Sequence, residues 1–168
     1  IGTVKPMNEK MLVLNLGGSY ARTLARRIRA CGVYCEIAPA DSGVETVRAF
    51  SPLGLIVAGG EGEAALDPEL TRLGVPVLGV GAGALSLVRA LGGEVGETAF
   101  VSDSMPLVMG DSPLVKDVPD CERYFEALHF LTLPEGFEVI AGSEEHPAAF
   151  ASEQARLYGT QFTVESND

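Results

Sequence analysis

Three features of the chain point to an α/β fold: a mostly parallel sheet flanked by helices, with additional strands towards the carboxyl terminus. Short apolar runs alternate with stretches of helical periodicity from Met11 to Gly93. Glycine-rich turns close three of those runs, at Gly17-Gly18, Gly59-Gly60 and Gly81-Ala82-Gly83. Beyond Gly93 the apolar runs continue with little helical pattern between them. A chain of 168 residues is enough for one domain with a real core.

The elements follow in order. MLVLNL, Met11 to Leu16, is a short apolar run closed by Gly17-Gly18, the pattern of a buried strand. Ser19 is placed as an N-cap. Tyr20, Leu24 and Ile28 then recur every four residues, with Arg22, Arg26, Arg27 and Arg29 largely on other faces, and Gly32 ends this helix. Val33 to Ile37 reads as a second strand and Gly43 to Phe50 as a weaker helix. GLIVA, Gly54 to Ala58, is a third strand. Asp67-Pro68 supplies cap and first-turn signals for a helix through Leu73. Val75 to Val80 is a fourth strand, and a helix carrying Leu85, Val88 and Leu91 stops at Gly92-Gly93. Met105 to Met109, Phe137 to Ala141, Ala148 to Ala151 and Leu157 to Phe162 read as strands that extend or flank the parallel core, some of them antiparallel.

Composition narrows the function classes. The formal charge of −11 repels phosphate backbones and anionic lipid, so neither nucleic acid nor membrane is an expected partner. No apolar run reaches the roughly 18 residues of a transmembrane helix, and residues 1–10 lack the apolar core of a signal peptide. Cys31, Cys35 and Cys121 are a sparse, odd set that suits a reducing cytoplasm. Without CxxC or HExxH, and with two histidines, no metal site is expected.

Two glycine turns stand where open α/β sheets carry their chemistry, at strand carboxyl ends. Gly59-Gly60 can present backbone N–H groups to an oxyanion, although the same dipeptide also serves as a plain tight turn. Gly79 to Ala84 fits G-x-G-x-x-A, a relaxed dinucleotide fingerprint, and opens a helix whose N-terminus attracts phosphate or carboxylate. It lies on the fourth strand, and Thr98 and Val101 offer no acid for a ribose, although Asp103 is near. A strand-to-helix elbow is also where hydrolases place a nucleophile, and Gly81 has no side chain.

These segments together resemble the class I glutamine amidotransferase domain of GMP synthase. The resemblance runs through LVLNLGGSYARTLARRIRACGVYCEI, GLIVAGG, GVPVLGVGAGALSLVRALGGEV and YGTQF, almost the whole chain. It implies a flavodoxin-like sheet, with residues 1–10 as an N-terminal extension and 11–168 as a single amidotransferase-like domain. It also implies that the domain has no room for the ATP-using synthetase that would take up its ammonia. In the family an elbow cysteine attacks the glutamine amide, and a histidine two residues before a glutamate activates it. Carried over, the cysteine falls on Gly81, the histidine on Thr163, the next proline on Val164 and the glutamate on Glu165. The proline after the oxyanion glycines is replaced by Glu61, and a glutamine beyond the elbow by Leu85. The Ser-His-Gly-Asp segment falls near Leu128 to Leu131 and keeps only His129.

Nucleophile and base are therefore absent while the orienting acid remains. No neighbour replaces them: Ser86 lies more than a turn past the elbow, Cys121 reads as a buried structural thiol, His129 as a packing or surface residue and His146 as solvated. The expectation is a catalytically degenerate, non-enzymatic binding or regulatory module. It would keep Gly59, Gly60 and Ala82 as oxyanion or ligand-binding backbone for a small amide or carboxylate, and would need no cofactor. The alternative is an amidotransferase subunit of GMP synthase that supplies ammonia once a partner synthetase completes the site. A third reading is a nucleotide-binding protein using Gly79 to Ala84. The arginines of the first helix form a solvated face or a surface for an acidic partner.

Overall fold

The computed structural model describes residues 10–59, 66–107, 110, 112 and 121–162. Strands β1 (Lys10–Asn15), β2 (Tyr34–Pro39), β3 (Gly54–Ala58) and β4 (Val77–Val80) alternate with helices α1 (Tyr20–Ala30), α2 (Val44–Phe50) and α3 (Ala82–Ala90). A long hairpin, β5 (Glu94–Leu107) and β6 (Cys121–Thr132), follows, then β7 (Glu138–Gly142), β8 (Pro147–Ser152) and β9 (Leu157–Thr160). Among the described residues, seven strands form one sheet in the order β2-β1-β3-β4-β9-β8-β7. The pairs from β2 across to β9 are parallel, and β8 and β7 add to the edge antiparallel.

The apolar runs form strands because both of their faces are covered. Leu12, Leu14, Leu55 and Val57 point to one side, where they pack with Val47 of α2, Leu70 and Leu87. Val13, Ile56 and Ala58 point to the other, against Ala21, Leu24 and Ala25 of α1. α3 also sends Ala84, Leu85 and Val88 into a cluster with Leu131 of β6 and Phe150 of β8.

Three expectations change in detail. Ser19 does stand at the N-cap of α1, but its side chain makes no capping bond. Its carbonyl accepts instead from the N–H groups of Arg22 and Thr23, at 3.1 and 3.4 Å. Pro68–Arg72 is a 3-10 turn rather than an α-helix, although Asp67 caps it through Oδ1 to the Glu69 N–H at 3.0 Å. The expected strand from Met105 to Met109 is the end of the much longer β5, with Val108 and Met109 outside the described residues. β5 and β6 pair antiparallel as a sheet of their own, with register shifts on either side of Thr98. Those shifts break the period-two alternation by which a strand is read from sequence.

The arginine-rich helix turns most of its guanidinium groups outward, which a solvated face and a surface for an acidic partner both require. Arg22, Arg26 and Arg27 are exposed. Arg29, also exposed, turns back and donates from Nε and Nη2 to the Cys35 carbonyl, at 3.3 and 3.0 Å, fastening α1 to β2. The Cys35 thiol is buried and donates to the Ala25 carbonyl at 3.4 Å. Burial pushes its pKa up, although the Arg29 charge beside it pulls the other way. Only the thiolate alkylates at a useful rate. At neutral pH iodoacetamide is therefore expected to label the exposed Cys31 and to spare Cys35 until the chain is denatured. Peptide mapping by mass spectrometry reads this directly, and equal labelling of the two in the folded state would contradict it.

Candidate functional site

The carboxyl ends of β3, β4 and β9 lie side by side, because Val57 pairs with Gly79 and Val80 with Thr160. Each strand hands the chain to a segment singled out in the sequence: Gly59 after β3, Gly81 after β4, and positions 161 to 165 after β9. Gly60, Glu61, Thr163, Val164 and Glu165 lie outside the described residues.

The β4–α3 junction is a sharp elbow whose glycines answer to different demands. Gly81 has φ 61° and ψ −120°, a conformation that costs any residue bearing a Cβ. Yet a Cβ added there would meet no atom of the described residues within 4 Å. Gly79 and Gly83 are the reverse case, with ordinary φ but no space. A Cβ on Gly79 would lie 2.6 Å from the Gly83 carbonyl oxygen, and one on Gly83 only 1.8 Å from that of Val57. The close approach of α3 to β3 and β4 thus depends on Gly79 and Gly83, and the backbone reversal on Gly81. The Gly81 N–H donates to the Thr160 carbonyl at 2.8 Å, so the elbow hangs on the end of β9. Ala82 begins α3, at the end of a helix whose first N–H groups have no partners within the helix.

Gly59, with φ 88°, is buried against the β1–α1 loop: a Cβ there would sit 2.5 Å from the Gly17 carbonyl oxygen and 2.8 Å from Asn15 Oδ1. That Oδ1 also accepts from the Gly17 N–H at 2.9 Å, which fixes the loop. Close packing of two turns therefore accounts for glycine at this position.

Leu85, which replaces the family glutamine, the cysteines and the side chains considered as substitutes lie away from the turn itself. Leu85 and Ser86 are buried within α3. Cys35 faces Met11 near the amino end of the sheet, away from the elbow, and Cys121 begins β6. His129 Nδ1 lies 3.3 Å from the Gly96 carbonyl oxygen, across the hairpin. His146 is not the solvated residue expected. It is half-buried, with Nδ1 3.2 Å from Ser143 Oγ and its ring edge-on to Phe130 at 5.4 Å.

Sequence reasoning passed over Gln161, taking YGTQF only as a strand before the site. Gln161 is 4% exposed, and its carboxamide is fully bonded to backbone. Oε1 accepts from the His129 N–H at 2.8 Å, and Nε2 donates to the His129 and Pro147 carbonyls at 3.0 and 2.9 Å. The available signal was an uncharged amide between Thr160 and Phe162 at the end of an apolar strand.

Fold and elbow together define a class: an open α/β domain whose central strand ends in the tight turn that presents a nucleophile in hydrolytic and amide-transferring enzymes. The chain belongs to the class-I glutamine amidotransferase family, whose model, described as glutamine amidotransferase class-I, matches residues 12–167. It is 36% identical over 169 residues to the glutamine-hydrolysing GMP synthase of Caldicellulosiruptor saccharolyticus, covering 94% of this chain and 33% of that protein. It is 38% identical over 175 residues to the GMP synthase of Nitrosococcus oceani, covering 93% and 33%. The chain thus spans about a third of the length of the GMP synthases it matches. Among solved structures it superposes on a Thermoplasma acidophilum protein, provisionally named as part of a GMP synthase, with a TM-score of 0.75. The two are 19% identical, with 94% of this chain and 85% of that one covered. A glutamine amidotransferase from Thermotoga maritima gives a TM-score of 0.70 at 14% identity, with 95% and 77% covered. These superpositions establish the fold.

Proposed function

We propose that this GMP synthase-type amidotransferase domain is catalytically degenerate and acts as a non-enzymatic binding or regulatory module. The observation that carries the reading is Gly81: the elbow keeps a backbone turn that suits a nucleophile and carries no side chain to attack with. The base position is Thr163, which cannot do the work of an imidazole, so Glu165 has nothing to orient. Removing the nucleophile from a catalytic unit of this type costs roughly six orders of magnitude in kcat, on the precedent of a serine protease.

Residues 11–168 act as one domain in this reading, which the span of the family match supports. Backbone N–H groups at Gly59, Gly60 and Ala82 would receive a small amide or carboxylate. The GMP synthase relatives support a partner in the form of a synthetase, whether a separate protein or a further domain, and with it a cytoplasmic setting in purine nucleotide synthesis. No helix of the described residues is long and apolar enough to cross a membrane.

The test is release of ammonia and glutamate from saturating glutamine, by the chain alone and with a cognate synthetase present. The expected result is background in both arms. Release that saturates with glutamine in either arm would overturn the degenerate reading, and release only with the synthetase would establish the partner-completed enzyme in its place. Calorimetric titration with glutamine, glutamate and purine nucleotides then separates ligand binding from docking.

A further inference from the structure

We propose that Gln161 is a positioning residue that couples the β5–β6 hairpin to the elbow at Gly81. β6 belongs to a separate two-stranded sheet, and a hairpin by itself is only marginally stable. Gln161 supplies a missing rung. Its carboxamide exchanges both bonds with one residue, accepting from the His129 N–H and donating to the His129 carbonyl. That is how a strand residue pairs in an antiparallel ladder, so the side chain substitutes for a peptide unit and joins the hairpin to the main sheet. Its second amide hydrogen goes to the Pro147 carbonyl, and its own backbone N–H to the Ala148 carbonyl at 2.8 Å, both in β8.

One residue earlier, the Thr160 carbonyl holds the Gly81 N–H. One residue later, Phe162 is buried with Leu128 of β6 and Ala148 of β8. The end of β9 is thus pinned on both sides. The path from hairpin to elbow is short and made of named bonds: His129 to Gln161, along the chain to Thr160, and across to Gly81. A load placed on the hairpin reaches the turn that gives the site its shape. This concerns the scaffold and holds whichever way the glutamine assay reads.

The experiment is native-state amide hydrogen exchange by NMR on the full chain. It compares the parent with Gln161→Leu and with Val47→Ala, which opens a cavity in the core cluster under α2. Gln161→Leu leaves two carbonyls and an N–H of the buried junction without partners. Exchange at His129 and Gly81 is expected to rise about tenfold or more beyond any rise at Val13, in the middle of β1. In Val47→Ala, amides that exchange through global unfolding rise together. If Gly81 in Gln161→Leu rises no more than Val13, the coupling does not exist. Should Gln161→Leu fail to fold, Gln161→Glu keeps the acceptor for the His129 N–H, lacks both donors, and is read by the same ratio.

Discussion

Gly83→Ala is expected to lower the stability of the domain by about 3 kcal/mol or more, at the upper end of what overpacking costs. The added Cβ would lie 1.8 Å from the Val57 carbonyl oxygen, 2.5 Å from the Val57 carbonyl carbon and 3.2 Å from the Ala58 nitrogen. All three atoms are backbone in β3, an inner strand of the sheet, so no side chain can swing aside. Two effects compete at this position. Alanine in a helix is favoured over glycine by about 1 kcal/mol, and Gly83 is a helical residue. The clash outweighs that gain, because relieving it means moving α3 away from β3 and uncovering Leu85, Leu87 and Val88. For a chain of this size the loss corresponds to a fall in melting midpoint of about 6–12 °C. A thermal or urea melt reads it, and a midpoint equal to the parent's would show that α3 does not approach β3 this closely.

The contrast between Gly81 and Gly83 shows where legibility in the sequence stopped. Both glycines stand in one run, GVGAG, and nothing in the run tells that one answers to φ and the other to contact. The parallel core was readable because its strands are buried on both faces, so LVL, LIV and VLGV stand out as apolar runs that end at glycine-rich turns. The hairpin was not. β5 carries Gly96, Pro106 and several acids, its pairing slips at Thr98, and part of what holds β6 is a side chain 32 residues away. A contact of that separation leaves no local pattern. The position of the site was readable from the glycine turns at the strand ends. Its meaning came from the family resemblance, because a missing nucleophile has no residue type of its own to be recognised by.

Restoring the side chain at the elbow separates geometry from chemistry. Gly81→Cys is expected to fold, since a Cβ there meets none of the described residues within 4 Å, and to be less stable than the parent by about 1–3 kcal/mol. The loss comes from φ 61° and ψ −120°, which the new Cβ opposes whatever room surrounds it. The melting midpoint should fall by several degrees. An unchanged or higher midpoint would count against the idea that glycine relieves strain at a turn shaped for a nucleophile. The new thiol should nonetheless be reactive, because it stands at the N-terminus of α3, where the helix dipole favours a thiolate, and Gly81 is only half-buried. Native alkylation should therefore count one more fast-reacting thiol than the parent. Glutamine hydrolysis should still not appear, because Thr163 provides no imidazole to protonate the departing ammonia. A strained, reactive but catalytically silent cysteine at position 81 would show that the scaffold outlasted the chemistry. Glutaminase activity in the single variant would show instead that the nucleophile was the one part missing.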